Sequence, residues 1–260
     1  MLKIMRYTLS DLLRSRWVVI YLSFFLLLTL SLLSLSGDVS QVVISLMNII
    51  LILCPLVAVM FGVMFFYNSR EFTELLLAQP LRRTDIFFGQ YLGLALSLSA
   101  SLVIGVGLPF LIYGLFASAE VWNFMVLIVI GVALTFIFSG LAFYLALCND
   151  NRIRGFGLAI LLWLFFAIIY DGIFLLSLIV LRDYPLEHYA MAMTILNPID
   201  LARILILLKL DISALMGYTG AVFHKFLGSL AGSILAFLAL ALWVVLPVWR
   251  IRWRALRKDF

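Results

Sequence analysis

Six long stretches of this chain contain almost nothing that water would solvate, and that repetition limits the fold more than any other feature. They run over about 17–35, 42–66, 87–116, 124–148, 155–181 and 227–249. Each is long enough for a helix to cross the hydrocarbon core of a bilayer, which takes about 20 residues. A membrane barrel would show short segments of alternating polarity instead. These runs are continuous, so the spans are helices. Composition closes the alternative of a water-soluble domain. Of the 260 residues, 66% are hydrophobic and 12% charged, with a mean hydropathy of +1.21, whereas a wet surface calls for about a quarter charged. The expected fold is an all-α membrane protein with six transmembrane helices in a single domain over 1–260. The third run holds Pro109 and is long for one crossing, so it is expected to tilt or kink toward one end.

The basic residues set the orientation. Residues 1–16 carry Lys3, Arg6, Arg14 and Arg16, and the connection 67–86 carries Arg70, Arg82 and Arg83. The connection 149–154 carries Arg152 and Arg154, and the tail carries Arg250, Arg252, Arg254, Arg257 and Lys258. Connections 36–41 and 117–123 carry none, while 182–226 carries Arg182, Arg203, Lys209 and Lys225. Lys and Arg collect on the cytoplasmic side of membrane proteins, so both termini are expected there, in a bacterial inner membrane. The even span number agrees.

Residues 1–16 place Leu2, Met5, Leu9, Leu12 and Leu13 at helical spacing, with Lys3, Arg6, Ser10, Asp11 and Arg14 elsewhere around the axis. That segment is too charged to span and is expected as an interfacial helix on the cytoplasmic face. The start also resembles a signal n-region. However, the first apolar run is about 19 residues long and no small-x-small cleavage site follows, so it reads as a retained span. The tail Trp249-Arg250-Ile251-Arg252-Trp253-Arg254 alternates aromatic and cation at a membrane exit. Tryptophan settles at the interface and arginine at anionic headgroups, so the partner implied is membrane lipid and not nucleic acid.

Catalytic motifs are absent from the sequence. There is no GxxxxGK[ST] loop to cradle ATP, no HExxH and no GxSxG. The only histidines, His188 and His224, fall in the connection 182–226. Cys54 and Cys148 belong to no CxxC pair and read as small apolar side chains. No metal site is expected, although His188, Met191 and Met193 are donors that Cu(I) favours. On a helix, 188 and 191 share a face while 193 turns away. Asp171, beside Tyr170, is the one acid inside a hydrophobic run, and intramembrane charge marks a functional candidate. An aspartyl protease needs two carboxylates, and the second motif is missing. Asp171 and Tyr170 are therefore expected to face the bundle or a hydrated pathway, unless the run ends early and Asp171 is interfacial.

The connection after the second run reads Arg70-Glu71-Phe72-Thr73-Glu74-Leu75-Leu76-Leu77-Ala78-Gln79-Pro80-Leu81-Arg82-Arg83, followed by Gly89-Gln90-Tyr91-Leu92-Gly93. A short charged helix held between two spans, ended by Pro80 and returning to the bilayer after paired arginines, can transmit a push from a soluble partner. A merely topogenic loop needs no amphipathic leucine run. This segment resembles the hallmark of ABC-2-type permeases through Glu71, Thr73, Leu75, Leu76, Leu77, Pro80, Arg83, Gly89 and Gly93. It departs at Phe72, Glu74 and Gln90, where glycine, leucine and lysine are usual. The resemblance implies a type V exporter-like fold with a coupling helix at about 71–79. Glu71, Thr73, Leu75, Leu76, Pro80, Arg82 and Arg83 would then serve ATPase coupling. It also implies a separate cytoplasmic ATPase carrying ATP and magnesium, no cofactor or catalysis in this chain, and a dimer as working unit.

In the external connection, expected to be helical at about 187–210, Asn197-Pro198-Ile199-Asp200-Leu201-Ala202-Arg203 has the form of a helix start. Asparagine caps, proline takes the first helical position, and Asp200 and Arg203 lie one turn apart. The stretch also resembles one in the permeases that serve nitrous-oxide-reductase copper-site maturation, which implies a periplasmic accessory partner. The expected function is export or mechanical transmission to the periplasmic side. The alternatives are a general drug, lipid or polysaccharide exporter, and a membrane scaffold for a periplasmic partner. In a variant lacking its native cysteines, a membrane-impermeant maleimide should reach Asp38→Cys or Glu187→Cys from outside and fail to reach Arg82→Cys. Labelling of Arg82→Cys in intact spheroplasts would reverse the orientation.

Overall fold

The computed structural model describes residues 1–36, 39–114, 121–181, 187–209 and 230–256, and every regular element among them is a helix. Arg182, His224, Lys225, Arg257 and Lys258 lie outside the described residues, as does most of the connection 182–226 beyond Lys209. The order is α1 (Leu2–Leu13), α2 (Arg16–Leu35), α3 (Val39–Asn68), α4 (Arg70–Leu77), α5 (Arg83–Ile112) and α6 (Val121–Cys148). There follow α7 (Arg152–Leu164), a π-helical turn (Phe165–Ile169), α8 (Tyr170–Val180), α9 (Glu187–Leu196), α10 (Pro198–Lys209) and α11 (Leu230–Ala255). Among the described residues, six helices are long and apolar enough to cross a membrane: α2, α3, α5, α6, the continuous unit α7–π–α8, and α11.

The bundle is organised around α6, which packs against α3, α5, α7, α10 and α11. Its 28 residues include no charge, and a helix apolar all round belongs at the centre. Leu134, Ile137, Phe138 and Phe143 on it are fully buried. In lipid the helices gain little from hydrophobic segregation and depend on close van der Waals fit. The α3–α6 crossing shows this at Gly62, where an added Cβ would stand 2.8 Å from Cβ of Ala142. Several hydroxyls buried in the spans bond back to their own helices, as Thr135 Oγ1 does to Gly131 O at 2.8 Å and Ser101 Oγ to Ser97 O at 2.9 Å. The bundle interior is therefore largely apolar contact.

Two spans differ from the sequence reading. The fifth span is interrupted at its middle by the π-helical turn, where Tyr170 N–H donates to Phe165 O five residues back. Between these spans, α9 and α10 turn by 113° at Asn197, with α10 beginning at Pro198 where the sequence has the form of a helix start. The sixth span continues through Pro247 to Ala255, so Trp249–Arg254 is the last part of α11. Arg252 and Arg254 in its final turn complement the negative end of the helix dipole.

Helix α1 lies along α5 rather than free at a surface. Thr8 and Leu12 are buried there, while Leu2 and Leu13 point outward. The seat is cut by Gly89 and Gly93, one turn apart on α5. A Cβ at Gly93 would stand 2.6 Å from Thr8 Cβ and 3.0 Å from Met5 O. Gly107, also on α5, has nothing within 4 Å of the corresponding position. Gly93→Ala should therefore destabilise the protein by about 1–3 kcal/mol through overpacking. Gly107→Ala should be neutral or stabilise by up to about 1 kcal/mol. Thermal unfolding in detergent compares the two, and equal stability would mean that α1 is not seated on Gly93.

Candidate functional site

Residues named separately in the sequence meet where α9 and α10 bend against the fifth span. Asn197 is fully buried. Its Oδ1 accepts from Ile199 N–H at 3.0 Å, which caps α10 behind Pro198. Its Nδ2 donates to Phe166 O in the π-helical turn at 3.0 Å and to Asp200 Oδ2 at 2.7 Å. Asp200 sits in the first turn of α10, where a negative charge suits the helix dipole. Its Oδ1 accepts from Arg203 NH1 at 3.1 Å, and the same nitrogen donates to Asp171 Oδ2 at 3.0 Å. Asp171 thus reaches an arginine rather than standing alone in the span. One guanidinium joins two carboxylates, one on the α9–α10 hairpin and one on α8.

The backbone of the bend is closed by side chains from the neighbouring spans. The last carbonyls of a helix lack intrahelical donors. Tyr170 OH donates to Met193 O at 2.6 Å, and Trp243 Nε1 of α11 donates to Ile195 O at 3.0 Å. The intervening Thr194 O accepts from Asn197 N–H at 3.2 Å. The π-helical turn and Trp243 were missed by sequence reasoning. Nothing in the run Phe165–Ile169 differs from ordinary span sequence, and Trp243 reads there as one more apolar residue. Burial grades outward across the cluster, from Asn197 and Asp200 inside to Asp171 and Arg203, whose side chains are each 32% exposed. Met193 Sδ lies 3.7 Å from the Tyr170 hydroxyl. The His188 side chain lies outside the described residues, and no group of three or more His, Cys, Asp or Glu suits a metal among those described.

The second grouping is at the other end of the bundle. Helix α4 covers Arg70–Leu77, ending before Pro80 because the chain already turns at Ala78 and Gln79. Thr73 is buried. Its hydroxyl donates to Ser69 O and accepts from Gln90 Nε2 of α5, both at 2.8 Å. Gln90, a departure from the usual lysine, is thus the side chain that ties α4 to a span. Phe72 stacks on Tyr7 of α1 with ring centroids 5.4 Å apart. Arg70 and Glu74 pair at 3.0 Å in the open. Glu71, Pro80, Arg82 and Arg83 are exposed, Leu76 is half-buried, and Leu75 is 69% exposed. Phe72 and Leu75 leave apolar surface on α4 that the described residues do not cover.

A bundle of six apolar spans, with a short amphipathic helix held against the third, is the build of a multi-pass membrane permease. Residues 2–248 match the sequence pattern of the ABC-2 family transporter proteins, and the chain belongs to that family. Family membership implies a partner ABC ATPase subunit. Among relatives, a probable ABC transporter permease protein NosY from Stutzerimonas stutzeri is 27% identical over 264 residues, covering 95% of this chain and 92% of that one. The protein of the same name from Pseudomonas aeruginosa is 29% identical over 263 residues, with the same coverage.

The cluster can be probed by stability. Asp171→Asn removes a partly exposed ion pair and leaves Arg203 its bond to Asp200, so it should cost no more than about 1 kcal/mol. Asn197→Ala strands Phe166 O, Asp200 Oδ2 and Ile199 N–H inside the protein, at about 1–3 kcal/mol for each group left unsatisfied. Thermal unfolding of the purified protein ranks them. An Asn197→Ala variant as stable as Asp171→Asn would show that the bend does not hold the hairpin.

Proposed function

We propose that this chain is the membrane half of an ATP-driven transporter that carries motion from a cytoplasmic ATPase to the periplasmic side. The observation that carries this reading is that α4 and the α9–α10 hairpin are each tied to the bundle by side-chain polar bonds, the first buried and the second partly so. Thr73 and Gln90 fix α4 to α5 at one end. Asn197 and Arg203 fix the α9–α10 hairpin to the fifth span, at its middle and just beyond. Between them α5 packs on α6 and α6 on α10, so a displacement of α4 has a continuous solid route. ATP and magnesium belong to the partner subunit, which docks on the exposed face of α4. The fifth span buries only 11% of its most apolar window within the chain, and a second copy of the chain is the partner for its free face, giving a homodimer.

Transmission is favoured over passage of a solute because Asp171, the pathway candidate, is engaged by Arg203. The destination follows the resemblance at Asn197–Arg203: nitrous-oxide-reductase copper-site maturation with a periplasmic accessory protein. The relatives bearing the name NosY support that choice.

Docking is tested by copurifying the ATPase with tagged variants in detergent. Burial of one leucine in a partner groove contributes about 1.5–3 kcal/mol, so Leu75→Asp should release the ATPase and half-buried Leu76→Asp should loosen it. Glu71→Ala should weaken association only modestly, and more at low salt than at high salt. Retention by both leucine variants at the parent level would remove α4 as the docking helix. In the same host, deletion of the chain should leave nitrous-oxide reductase short of copper, and full copper loading would refute that destination.

A further inference from the structure

At the end of the bundle where the basic residues gather, the start of α5 and the end of α11 enclose a cavity of about 310 Å³. Arg82, Thr84 and Asp85 line it from α5, and Arg252 from α11. Its apolar wall is made by Phe88, Val248 and Ile251, residues that continue into the third and sixth spans. Neither Arg82 nor Arg252 makes an ion pair or side-chain hydrogen bond among the described residues. Two arginines outweigh the single carboxylate of Asp85. Trp249 and Trp253, 63% and 49% exposed on the same stretch of α11, mark the depth as the membrane interface.

We propose that this cavity binds the headgroup of an anionic phospholipid from the leaflet at this end of the bundle. Guanidinium groups match phosphate oxygens in both charge and geometry, and Thr84 adds a hydroxyl donor. The apolar wall runs toward the hydrocarbon, as an acyl chain must. A soluble phosphate would use the arginines and leave that wall unused, so the lipid is the better fit. The bound lipid holds the end of the sixth span to the start of the third, two residues beyond Pro80. This reading is independent of the cargo and of where the ATPase docks.

The experiment titrates the purified full-length protein, in its ATPase-bound complex, with phosphatidylglycerol or phosphatidylcholine in mixed micelles. Thermal midpoint and native mass spectrometry are the readouts. Phosphatidylglycerol should raise the midpoint and remain bound, and phosphatidylcholine should not. Arg252→Gln should weaken phosphatidylglycerol about fivefold, and Arg82→Gln with Arg252→Gln should abolish the effect. Arg252→Lys, which keeps the charge but loses the planar fork, should bind between the parent and Arg252→Gln, and Arg82→Gln alone, expected to weaken binding about as much as Arg252→Gln, serves if Arg252→Gln fails to fold. Arg250→Gln, in the same tail but outside the cavity, should bind as the parent does. Equal weakening by Arg250→Gln would reduce the effect to diffuse attraction by the tail. Parent-like binding by Arg252→Gln, or the full shift with inorganic phosphate alone, would also overturn the proposal.

Discussion

Inside hydrocarbon every backbone N–H and C=O has to find its partner within the protein, and a helix that stops and turns breaks that supply at the turn. The 113° bend at Asn197 is where this constraint presses hardest. Here the solution is distributed. Thr194 O takes the Asn197 N–H, Met193 O takes the Tyr170 hydroxyl, and Ile195 O takes the Trp243 indole N–H. Asn197 then gives its own side chain to Phe166 O, in the π-helical turn of the fifth span. The hairpin can keep its shape only with the fifth and sixth spans beside it, and they are held in return.

The two ends of the molecule are built on different physics from its middle. Around α6 the fit is apolar and depends on small residues, as where Gly62 lets α3 approach Ala142. Such packing is short-ranged and does not tolerate displacement. At the ends, polar bonds link an amphipathic piece to a span: Thr73 with Gln90, and Arg203 with Asp171. A rigid centre with chemically distinct attachments at each end suits a part that moves as a body.

The fold was readable because hydrophobic length is a property of each segment alone. The six spans and the helical stretches near Arg70–Leu77 and Leu2–Leu13 were apparent from run length, charge and periodicity. What escaped depends on pairs far apart in sequence. Asp171 and Arg203 were both singled out, but their contact across 32 positions was not visible in either. Gly89 and Gly93 were seen only as motif residues, since nothing in α5 says that α1 lies in their groove. The local helix-start chemistry of Asn197 and Pro198 was legible, whereas the second task of Asn197, bonding Phe166 O, needs the folded neighbour. The π-helical turn left no mark because its extra residue changes neither apolarity nor length enough to notice.

The thin packing of the fifth span has a consequence in time. Helix α6 buries 67% of its most apolar window and the fifth span 11%. During synthesis α6 can settle as soon as α3 and α5 are present, because its contacts with them precede it in the chain. The fifth span reaches the bilayer next and already finds α3 and α6, on which α7 packs, with Trp163 Nε1 donating to Ile52 O at 3.1 Å, while Asn197 and Arg203, which fasten its second half, have yet to leave the ribosome. Its first half can settle as it enters, and its second half waits for the hairpin that follows.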